Sequence, residues 1–280
     1  MMKNNDYSYN IISVYNHLKI NVGYDGIVFL KCHTLGNDFI LAQDSKQALQ
    51  VLPDLCKRRI GIGADDVILF NMFNENNYSM RIINPDGSKC KICGNALISF
   101  GSFLFYSTNM ESVNIITSVG EKKISINRND GTIHCNMGNI KSTDVHEYTI
   151  TIEGKAYTIY HINIGTPHTI IYTDNLYDLD IARIGPSIEK HKLFPNRTNV
   201  MFAQIQNYQK IFLRCWEKGG TGETLACGTG ACATALISQK RGLVGNNVDV
   251  VFQLGAHRIK QHHDTVELIG KGTLISCGFV

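Results

Sequence analysis

The sequence lacks long apolar runs, clusters of basic residues and a regular cysteine framework. No apolar run approaches the roughly 20 residues that a membrane-spanning helix needs, so a membrane protein is not expected. The formal net charge of +3 comes without a basic cluster, which argues against nucleic acid or an anionic membrane as a partner. The 9 cysteines are an odd number without framework spacing, which favours reduced thiols and a cytoplasmic protein.

Nucleotide-binding and targeting signatures are also missing. Residues 219–222 are rich in glycine, but they lack the Gly-Lys-Ser/Thr of a phosphate-binding loop, and no strand leads into Gly-x-Gly-x-x-Gly. Nucleotide binding is therefore not expected. Residues 1–26 have neither the apolar core of a secretory signal nor the arginines of a transit peptide. We expect them to form an N-terminal extension outside the folded domains.

Short strands and short helices separated by glycine turns make up the rest of the chain. With 280 residues, of which 44% are hydrophobic, the chain is long enough for two domains with their own cores. Charged and small polar residues interrupt the pattern near 139–146. The sequence thus predicts an α/β (α+β) protein whose first domain comprises 27–143 plus 266–280 and whose second comprises 144–265.

One cysteine stands directly before a predicted helix, at Cys227. Gly228 and Thr229 follow it and would form the first helical turn, where backbone N–H groups have no partner within the helix. These donors and the positive end of the helix dipole favour an anion, either a substrate carboxylate or the sulfur itself. Because such a site lowers the pKa of a thiol, we expect Cys227 to be a thiolate that acts as a base or nucleophile.

The same pattern occurs about one domain's length earlier in the chain. Cys93 precedes Gly94 and Asn95, and residues 96–106 are apolar and helical in character. Two such helix starts indicate two pseudo-symmetric halves that face one another. Opposed thiols suit a two-base proton shuttle, because one removes a hydrogen from one face of a carbon atom while the other delivers one to the opposite face.

Less specific interpretations of the cysteines remain open. Cys90 and Cys93 form a C-x-x-C pair, and Cys227 and Cys232 would complete a set of four zinc ligands. The helix starts after Cys93 and Cys227 argue against this, because zinc ribbons use turns at these positions. The other cysteines are expected to be small buried hydrophobic residues; they are Cys32, Cys56, Cys90, Cys135, Cys215, Cys232 and Cys277.

Several polar residues between strands have two interpretations each. A histidine in a polar loop is either a surface or hydrogen-bonding residue or part of an active-site cleft, which applies to His33 and His168. Asparagine between strands is most often a turn residue, so a turn is the alternative to a binding role for Asn37, Asn84 and Asn199.

A series of short motifs resembles those of the diaminopimelate epimerase family, in the family's order along the chain. The motifs fall between Phe29 and Gly242, the tail matches more loosely, and only 1–26 is uncovered. They are HTLGNDF at 33–39, GIGAD at 61–65, NPDGS at 84–88, CGN at 93–95, GTPH at 165–168, GP at 185–186, FP at 194–195, NV at 199–200, and WE at 216–217 with 222–233.

The resemblance implies that each of two domains wraps a mixed, mostly antiparallel sheet around a central helix, with the active site between the domains. It implies an isomerase without cofactor or metal, usually a homodimer, that interconverts LL- and meso-diaminopimelate for lysine and cell-wall synthesis. Cys93 and Cys227 would be the acid/base pair. The remaining site residues would hold the reacting carboxylate at the two helix starts (Gly94, Asn95, Gly228 and Thr229), bind the amino and carboxyl groups (Asn37, Asn84, Asn199 and Glu217), or support the site (His168).

The sequence departs from the family pattern mainly where the distal end of the substrate would bind. Lys218 stands in place of an arginine, Thr166 in place of an asparagine, and the loop 219–222 is one residue longer. Ala96 replaces a glycine, and Asp66 replaces a glycine or glutamine. Three hypotheses follow: a diaminopimelate epimerase, another amino-acid racemase or epimerase with an altered distal pocket, and a non-enzymatic or zinc-binding protein.

Overall fold

The chain divides into two compact units. The structure, a computed structural model, describes residues 4–21, 26–139, 144–219, 222–263 and 265–280. Unit 1 runs to Cys135 and includes Gly270–Val280, and unit 2 is Asn136–Ile269. Both units contain a sheet and helices, which confirms the predicted α+β class.

The sheet of unit 1 is mixed and mostly antiparallel. Its strands are β1 (Val28–Thr34), β2 (Asn37–Gln43), β3 (Asp66–Asn74), β4 (Asn77–Ile83), β5 (Lys89–Cys90), β6 (Ser112–Thr117), β7 (Gly120–Ile126), β18 (Thr273–Phe279) and β8 (Ile133–Asn139), which continues past Cys135 into unit 2. They pair in the order β18-β1-β2-β3-β4-β6-β7-β8, and the short β5 also pairs with β4. The parallel pairs among them are β2 with β3 and β4 with β6.

The central helix of unit 1 is α3 (Gly94–Ser107). Every residue from Gly94 to Phe105 is buried, as expected for a helix that is apolar all round. Phe100 packs against Phe70 and Tyr78, with ring centroids 5.2 and 5.4 Å away. A second helix, α2 (Lys46–Leu55), connects β2 to β3 and begins at Ser45, whose hydroxyl accepts the N–H of Ala48 at 2.9 Å.

The N-terminal segment contains a helix that the sequence analysis did not predict. Helix α1 (Asn4–Asn21) packs against β18 and α3 and buries Ile11, Ile12 and Tyr15. The Tyr15 ring meets Phe103 edge-on at 5.9 Å. The expectation of an extension outside the domain is therefore wrong for the described part of 1–26. Three apolar residues are too few to predict the contact from sequence; residues 1–3 and 22–25 lie outside the described residues.

Unit 2 repeats this topology. Its strands are β9 (Val145–Ile152), β10 (Lys155–Asn163), β11 (Pro167–Tyr172), β12 (Asn199–Asn207), β13 (Lys210–Glu217), β14 (Gly222–Thr224), β15 (Asn247–Phe252), β16 (Gly255–His262) and β17 (Thr265–Gly270). They pair in the order β9-β10-β11-β12-β13-β15-β16-β17, with β14 on β13. The parallel pairs are β11 with β12 and β13 with β15, at the same places as in unit 1.

The helices of unit 2 occupy the same places in the topology as those of unit 1. Helix α4 (Ile181–Glu189) connects β11 to β12, as α2 connects β2 to β3. Helix α5 (Gly228–Lys240) follows β14 as α3 follows β5, and its residues from Gly228 to Ser238 are all buried. The two cysteine-led helices are thus the central helices of two topologically equivalent units.

Some elements differ from the sequence-based expectation. His33, expected in a polar loop, lies in a tight hairpin: β1 continues to Thr34, and Leu35 and Gly36 turn with φ of 50° and 88°. Strands β15 and β16 were not predicted from the sequence. Residues 140–143 of the expected domain boundary lie outside the described residues.

Candidate active site

The start of α3 brings three of the predicted site residues into contact. Cys93 is the residue immediately before the helix, and its thiol donates a hydrogen bond to Asn37 Oδ1 at 3.6 Å. Asn95, which is fully buried, donates from Nδ2 to the same oxygen at 3.1 Å. Asn37 is the first residue of β2, so the tight hairpin turn before it presents its side chain to the helix start.

The start of α5 has a different arrangement around Cys227. Its sulfur accepts the backbone N–H of Gly230 at 3.3 Å and lies 3.5 Å from Thr229 Oγ1. Gly228 and Thr229 form the first turn, as predicted, and both are buried. A β-carbon at Gly230 would overlap the sulfur of Met201 on β12. Any larger residue at this position, whose N–H the thiol accepts, would force the Met201 side chain to move.

The pKa of Cys227 contradicts the expected thiolate. Burial raises the pKa of this thiol well above its ordinary value, and the neighbouring negative charge of Glu217 raises it further. Hydrogen bonds from Thr229 and Gly230 act in the opposite direction. The prediction was wrong because it counted the donors of the helix start and omitted the cost of a buried charge beside a carboxylate.

The segment after β13 is fixed by hydrogen bonds to two other elements of unit 2. The N–H of Lys218 donates to Asn199 Oδ1, and the N–H of Gly219 donates to Glu189 Oε1, both at 3.0 Å. Glu217, the last residue of β13, accepts from Thr224 Oγ1 at 3.2 Å. Glu217, Lys218 and Asn199 are therefore brought together. Gly220 and Thr221 of the longer loop lie outside the described residues.

Glu189 is a structural residue of this segment that the sequence analysis missed. Its side chain is 2% exposed and accepts hydrogen bonds from Trp216 Nε1 at 2.9 Å and from Arg197 Nη1 at 3.2 Å, besides Gly219. Gly185 makes room for the Trp216 ring, since a β-carbon there would lie 2.6 Å from it. An acidic residue at the end of an amphipathic helix normally indicates solvent exposure, so the sequence carries no signal for this role.

Both histidines that were expected in polar loops lie in strands. His33 is in β1, where its Nδ1 accepts the N–H of Gly36 at 3.1 Å. His168 is in β11, opposite Asn199 of β12, and is completely buried. Its Nε2 lies 3.3 Å from Thr166 Oγ1. Burial lowers the pKa of His168 to about 3, so its ring is neutral at pH 7 and cannot supply a cation to the site.

Asn84 lies in a turn, as the alternative interpretation held. Its Nδ2 donates to Ser88 Oγ at 2.7 Å, and its backbone N–H donates to the Ser88 carbonyl at 2.8 Å. Gly87 in this turn has a φ of 80°. A binding role for Asn84 stays a prediction.

A family model described as diaminopimelate epimerase matches residues 29–143 and 160–275. The chain belongs to the diaminopimelate epimerase family. Membership makes the protein an isomerase and argues against the non-enzymatic hypothesis. A diaminopimelate epimerase of Clostridium perfringens is 33% identical over 89% of this chain and 98% of its own length. Those of Halothermothrix orenii and Archaeoglobus fulgidus are 34% and 31% identical, cover 89% and 91% of this chain, and each align over 96% of their own length.

Solved structures of other proteins share the fold. A PhzF-family phenazine biosynthesis protein of Bacillus anthracis superposes with a TM-score of 0.73 at 14% identity, covering 91% of this chain and 99% of that one. A hydroxyproline epimerase of Agrobacterium vitis, solved with trans-4-OH-L-proline, has a TM-score of 0.65 at 16% identity and covers 91% of both chains. At this identity the comparison supports the fold of this diaminopimelate epimerase family member, and no more.

No group of three or more histidine, cysteine or acidic side chains among the described residues is placed to hold a metal ion. All nine cysteines are thiols. None of the described helices is both long and apolar enough to cross a bilayer. A cavity of about 260 Å³ lies between β4, β5 and β6 of unit 1, and Cys90 and Ile92 line it just before Cys93.

Proposed function

We propose that this isomerase interconverts LL- and meso-diaminopimelate by moving the proton on one α-carbon. The observation that carries the proposal is the repeated helix start: in each of two topologically equivalent units, a cysteine immediately precedes the buried central helix. The proposed substrate is inferred from membership of the diaminopimelate epimerase family. We propose that the enzyme needs no cofactor, acts in the cytoplasm and forms a homodimer.

In the proposed mechanism Cys93 and Cys227 are the two proton carriers. One sulfur, as thiolate, takes the α-proton, and the electron pair of the broken C–H bond remains on the α-carbon. The other thiol delivers its proton to the opposite face, so the two sulfurs exchange protonation states in each turnover. N–H groups of the two helix starts, at Gly94, Asn95, Gly228 and Thr229, would stabilise the negative charge that spreads into the substrate carboxylate.

Glu217 explains how a buried Cys227 could ionise when substrate arrives. The carboxylate now raises the pKa of the thiol. A substrate ammonium group bound by Glu217 would neutralise that charge and remove part of the obstacle to thiolate formation. Substrate binding would thus prepare the base, and a thiolate need not exist in the free enzyme.

The remaining polar residues would bind and orient the substrate. Asn199 already accepts the N–H of Lys218 with its side-chain oxygen, so its amide nitrogen is the group suited to a carboxylate. Asn37 and Asn84 would bind the amino and carboxyl groups of the reacting centre. Thr166 and Lys218 would face the distal end, and His168 would support Thr166 through their 3.3 Å contact.

The second candidate function is another amino-acid epimerase or racemase, and Lys218 and Thr166 are the observation that favours it. Lysine offers a point charge where arginine offers a planar pair of donors. One experiment separates the candidates. The protein is incubated in D₂O with LL-diaminopimelate and a panel of shorter α-amino acids, and loss of the α-proton signal is followed by NMR. Exchange on diaminopimelate supports the proposal; exchange on another amino acid alone establishes the second candidate.

Lys218→Arg and Thr166→Asn then test the distal pocket. A lost charge-assisted hydrogen bond costs about 1.5–3 kcal/mol, so restoring it in Lys218→Arg should raise kcat/KM for diaminopimelate by about one to two powers of ten. Thr166→Asn should act in the same direction. The matched control is Lys210→Arg, at an exposed position of β13. Unchanged kcat/KM in both variants would show that position 218 does not contact the distal carboxylate.

A further inference from the structure

The side chain of Asn37 is held by a network of charged residues on the side away from Cys93. Asp65 Oδ2 accepts hydrogen bonds from Asn37 Nδ2 at 2.9 Å and from the backbone N–H of Asp38 at 3.1 Å. Asp65 Oδ1 accepts from Arg58 Nη2 at 2.8 Å. Both carboxylate oxygens are therefore occupied, and one of them meets the amide nitrogen of Asn37.

The position of Asp65 is itself fixed. Its backbone N–H donates to Asp38 Oδ1 at 3.0 Å, and Arg58 donates to both carboxylate oxygens of Asp38, at 2.7 and 3.1 Å. The buried Lys31 donates from Nζ to Asp38 Oδ2 at 2.6 Å and to the carbonyl oxygen of Gly63. These cations lower the pKa of Asp38 to about 2. Asp38 is thus charged at neutral pH, and its hydrogen bonds hold β2 against the residues before β3.

The network decides which end of the Asn37 amide faces Cys93. A carboxylate accepts hydrogen bonds and cannot donate them, so Asn37 must turn its NH₂ group toward Asp65. Its carbonyl oxygen is then the group that faces the helix start, where it accepts from Asn95 Nδ2 and from the Cys93 thiol. A carbonyl oxygen stabilises a protonated thiol and repels a thiolate.

We propose that Asp65 is a positioning residue, which holds the side-chain carbonyl of Asn37 against Cys93 and thereby keeps this thiol protonated before substrate binds. The free enzyme is then prepared to deliver its first proton from Cys93. That Cys93 is one of the two acid/base groups rests on the proposed function. The effect of Asp65 on the Cys93 thiol does not, and it can be measured without any substrate.

The test measures the alkylation rate of Cys93 by iodoacetamide as a function of pH, with peptide mass spectrometry to distinguish it from the other cysteines. In Asp65→Ala the Asn37 amide loses its fixed acceptor and can turn its NH₂ group to the sulfur. Exchanging an acceptor for a donor should lower the apparent pKa of Cys93 by about one pH unit. Lys89 and Lys91 are the charged residues nearest to Cys93 in the sequence. They are the same in every variant, so they do not cause differences in the Cys93 pKa between variants.

Asp65→Asn separates positioning from charge. It removes the same negative charge as Asp65→Ala but keeps one oxygen. Arg58 keeps both of its hydrogen bonds to Asp38 and so does not need the remaining oxygen at position 65. That oxygen should therefore continue to accept from Asn37 Nδ2 and the Asp38 N–H. We expect Asp65→Asn to shift the Cys93 pKa by less than half as much as Asp65→Ala. Asp54→Ala, at an exposed carboxylate paired with Lys57, is the matched control and should cause no shift.

Asn37→Ala and Asp65→Ala together form a double-mutant cycle. Asn37→Ala alone removes the carbonyl and should lower the Cys93 pKa, and in this background Asp65→Ala should cause little further shift. No shift in folded Asp65→Ala, an equal shift in Asp65→Asn, or an undiminished shift in the Asn37→Ala background would each overturn the proposal. If Asp65→Ala does not fold, Asn37→Ala must still lower the Cys93 pKa, and Asp65→Asn must shift it by less than half as much as Asn37→Ala does. Absence of diaminopimelate turnover would affect only the proposed function.

Discussion

The two cysteine-led helix starts have almost the same backbone and different side-chain hydrogen bonds. Cys93 has φ −136° and ψ 120°, and Cys227 has φ −132° and ψ 109°. The sulfur of Cys227 accepts the N–H of Gly230, whereas Cys93 makes no capping hydrogen bond to its helix and donates to Asn37 instead. Two helix starts with nearly the same conformation therefore differ in the partners of their thiols, which are Asn37 for Cys93 and Gly230 and Glu217 for Cys227.

The residue three positions after each cysteine also differs between the two helix starts. In α5 it is Gly230, whose hydrogen in place of a β-carbon lets Met201 approach. In α3 it is Ala96, which carries a β-carbon and is completely buried. The departure from the family's glycine at Ala96 is thus compatible with a helix whose cysteine points elsewhere.

The largest expected effect is the loss of either thiol. Cys93→Ala and Cys227→Ala should each lower kcat by at least about a thousandfold, because a proton carrier of a two-base mechanism has no substitute. The measurement is epimerisation of diaminopimelate, with circular dichroism to check the fold. Cys232→Ala, a buried cysteine of the same helix α5, is the control and should retain turnover. Near-normal turnover in either active-site variant would remove that cysteine from the mechanism.

Gly230→Ala and Ala96→Gly should lower the free energy of unfolding by different amounts. Gly230→Ala forces a β-carbon against Met201 and should destabilise the protein by about 1–3 kcal/mol. Ala96→Gly should cost only the helix propensity difference, about 1 kcal/mol. Urea unfolding measures both. Combining Gly230→Ala with Met201→Ala should cost less than the sum of the single changes if the clash is the cause, and additive costs would contradict it.

The sequence predicted the helix starts because their signal is local. A cysteine, a glycine and a polar residue before a run of helix formers fix the position of α3 and α5 without reference to other elements. The tail was also predicted to return to the first domain, and β18 pairs with β1. The Asp65 network and Glu189 could not be predicted, because their partners are distant in sequence and an isolated acidic residue reads as solvent-exposed. The burial that raises the pKa of Cys227 was missed for the same reason.

A smaller effect should follow from Glu217→Gln, which tests why Cys227 is protonated. The amide removes the negative charge beside the sulfur while preserving side-chain size, so the apparent pKa of Cys227 should fall. The pH dependence of its alkylation provides the measurement. Glu153→Gln, at a mostly exposed carboxylate of the same unit, should leave the value unchanged. An unchanged pKa in Glu217→Gln would mean that burial alone keeps the thiol protonated.

The smallest effect concerns how the two units respond to acid. His168 of unit 2 has a folded pKa of about 3, below its ordinary 6.5, because burial disfavours the charged ring. Between these values the unfolded chain binds a proton that the folded chain does not, so the stability present above pH 6.5 decreases as the pH falls toward 3. Asp38 of unit 1 has a folded pKa of about 2 against an ordinary 3.8. Its contribution is complete above pH 3.8 and is lost only as the pH falls through 2.

Acidification from pH 7 to 5 should therefore act through His168 and not through Asp38. In urea unfolding the wild type should lose stability over this interval, and His168→Asn should lose less, because asparagine has no proton to gain. Part of the slope should remain, since burial also lowers the pKa of His257 to about 4 and that of His161. Asp38→Asn, the control, should be less stable at both pH values with an unchanged difference between them. An identical pH dependence in wild type and His168→Asn would show that His168 reaches solvent, and the contrast with the unit 1 network would fail.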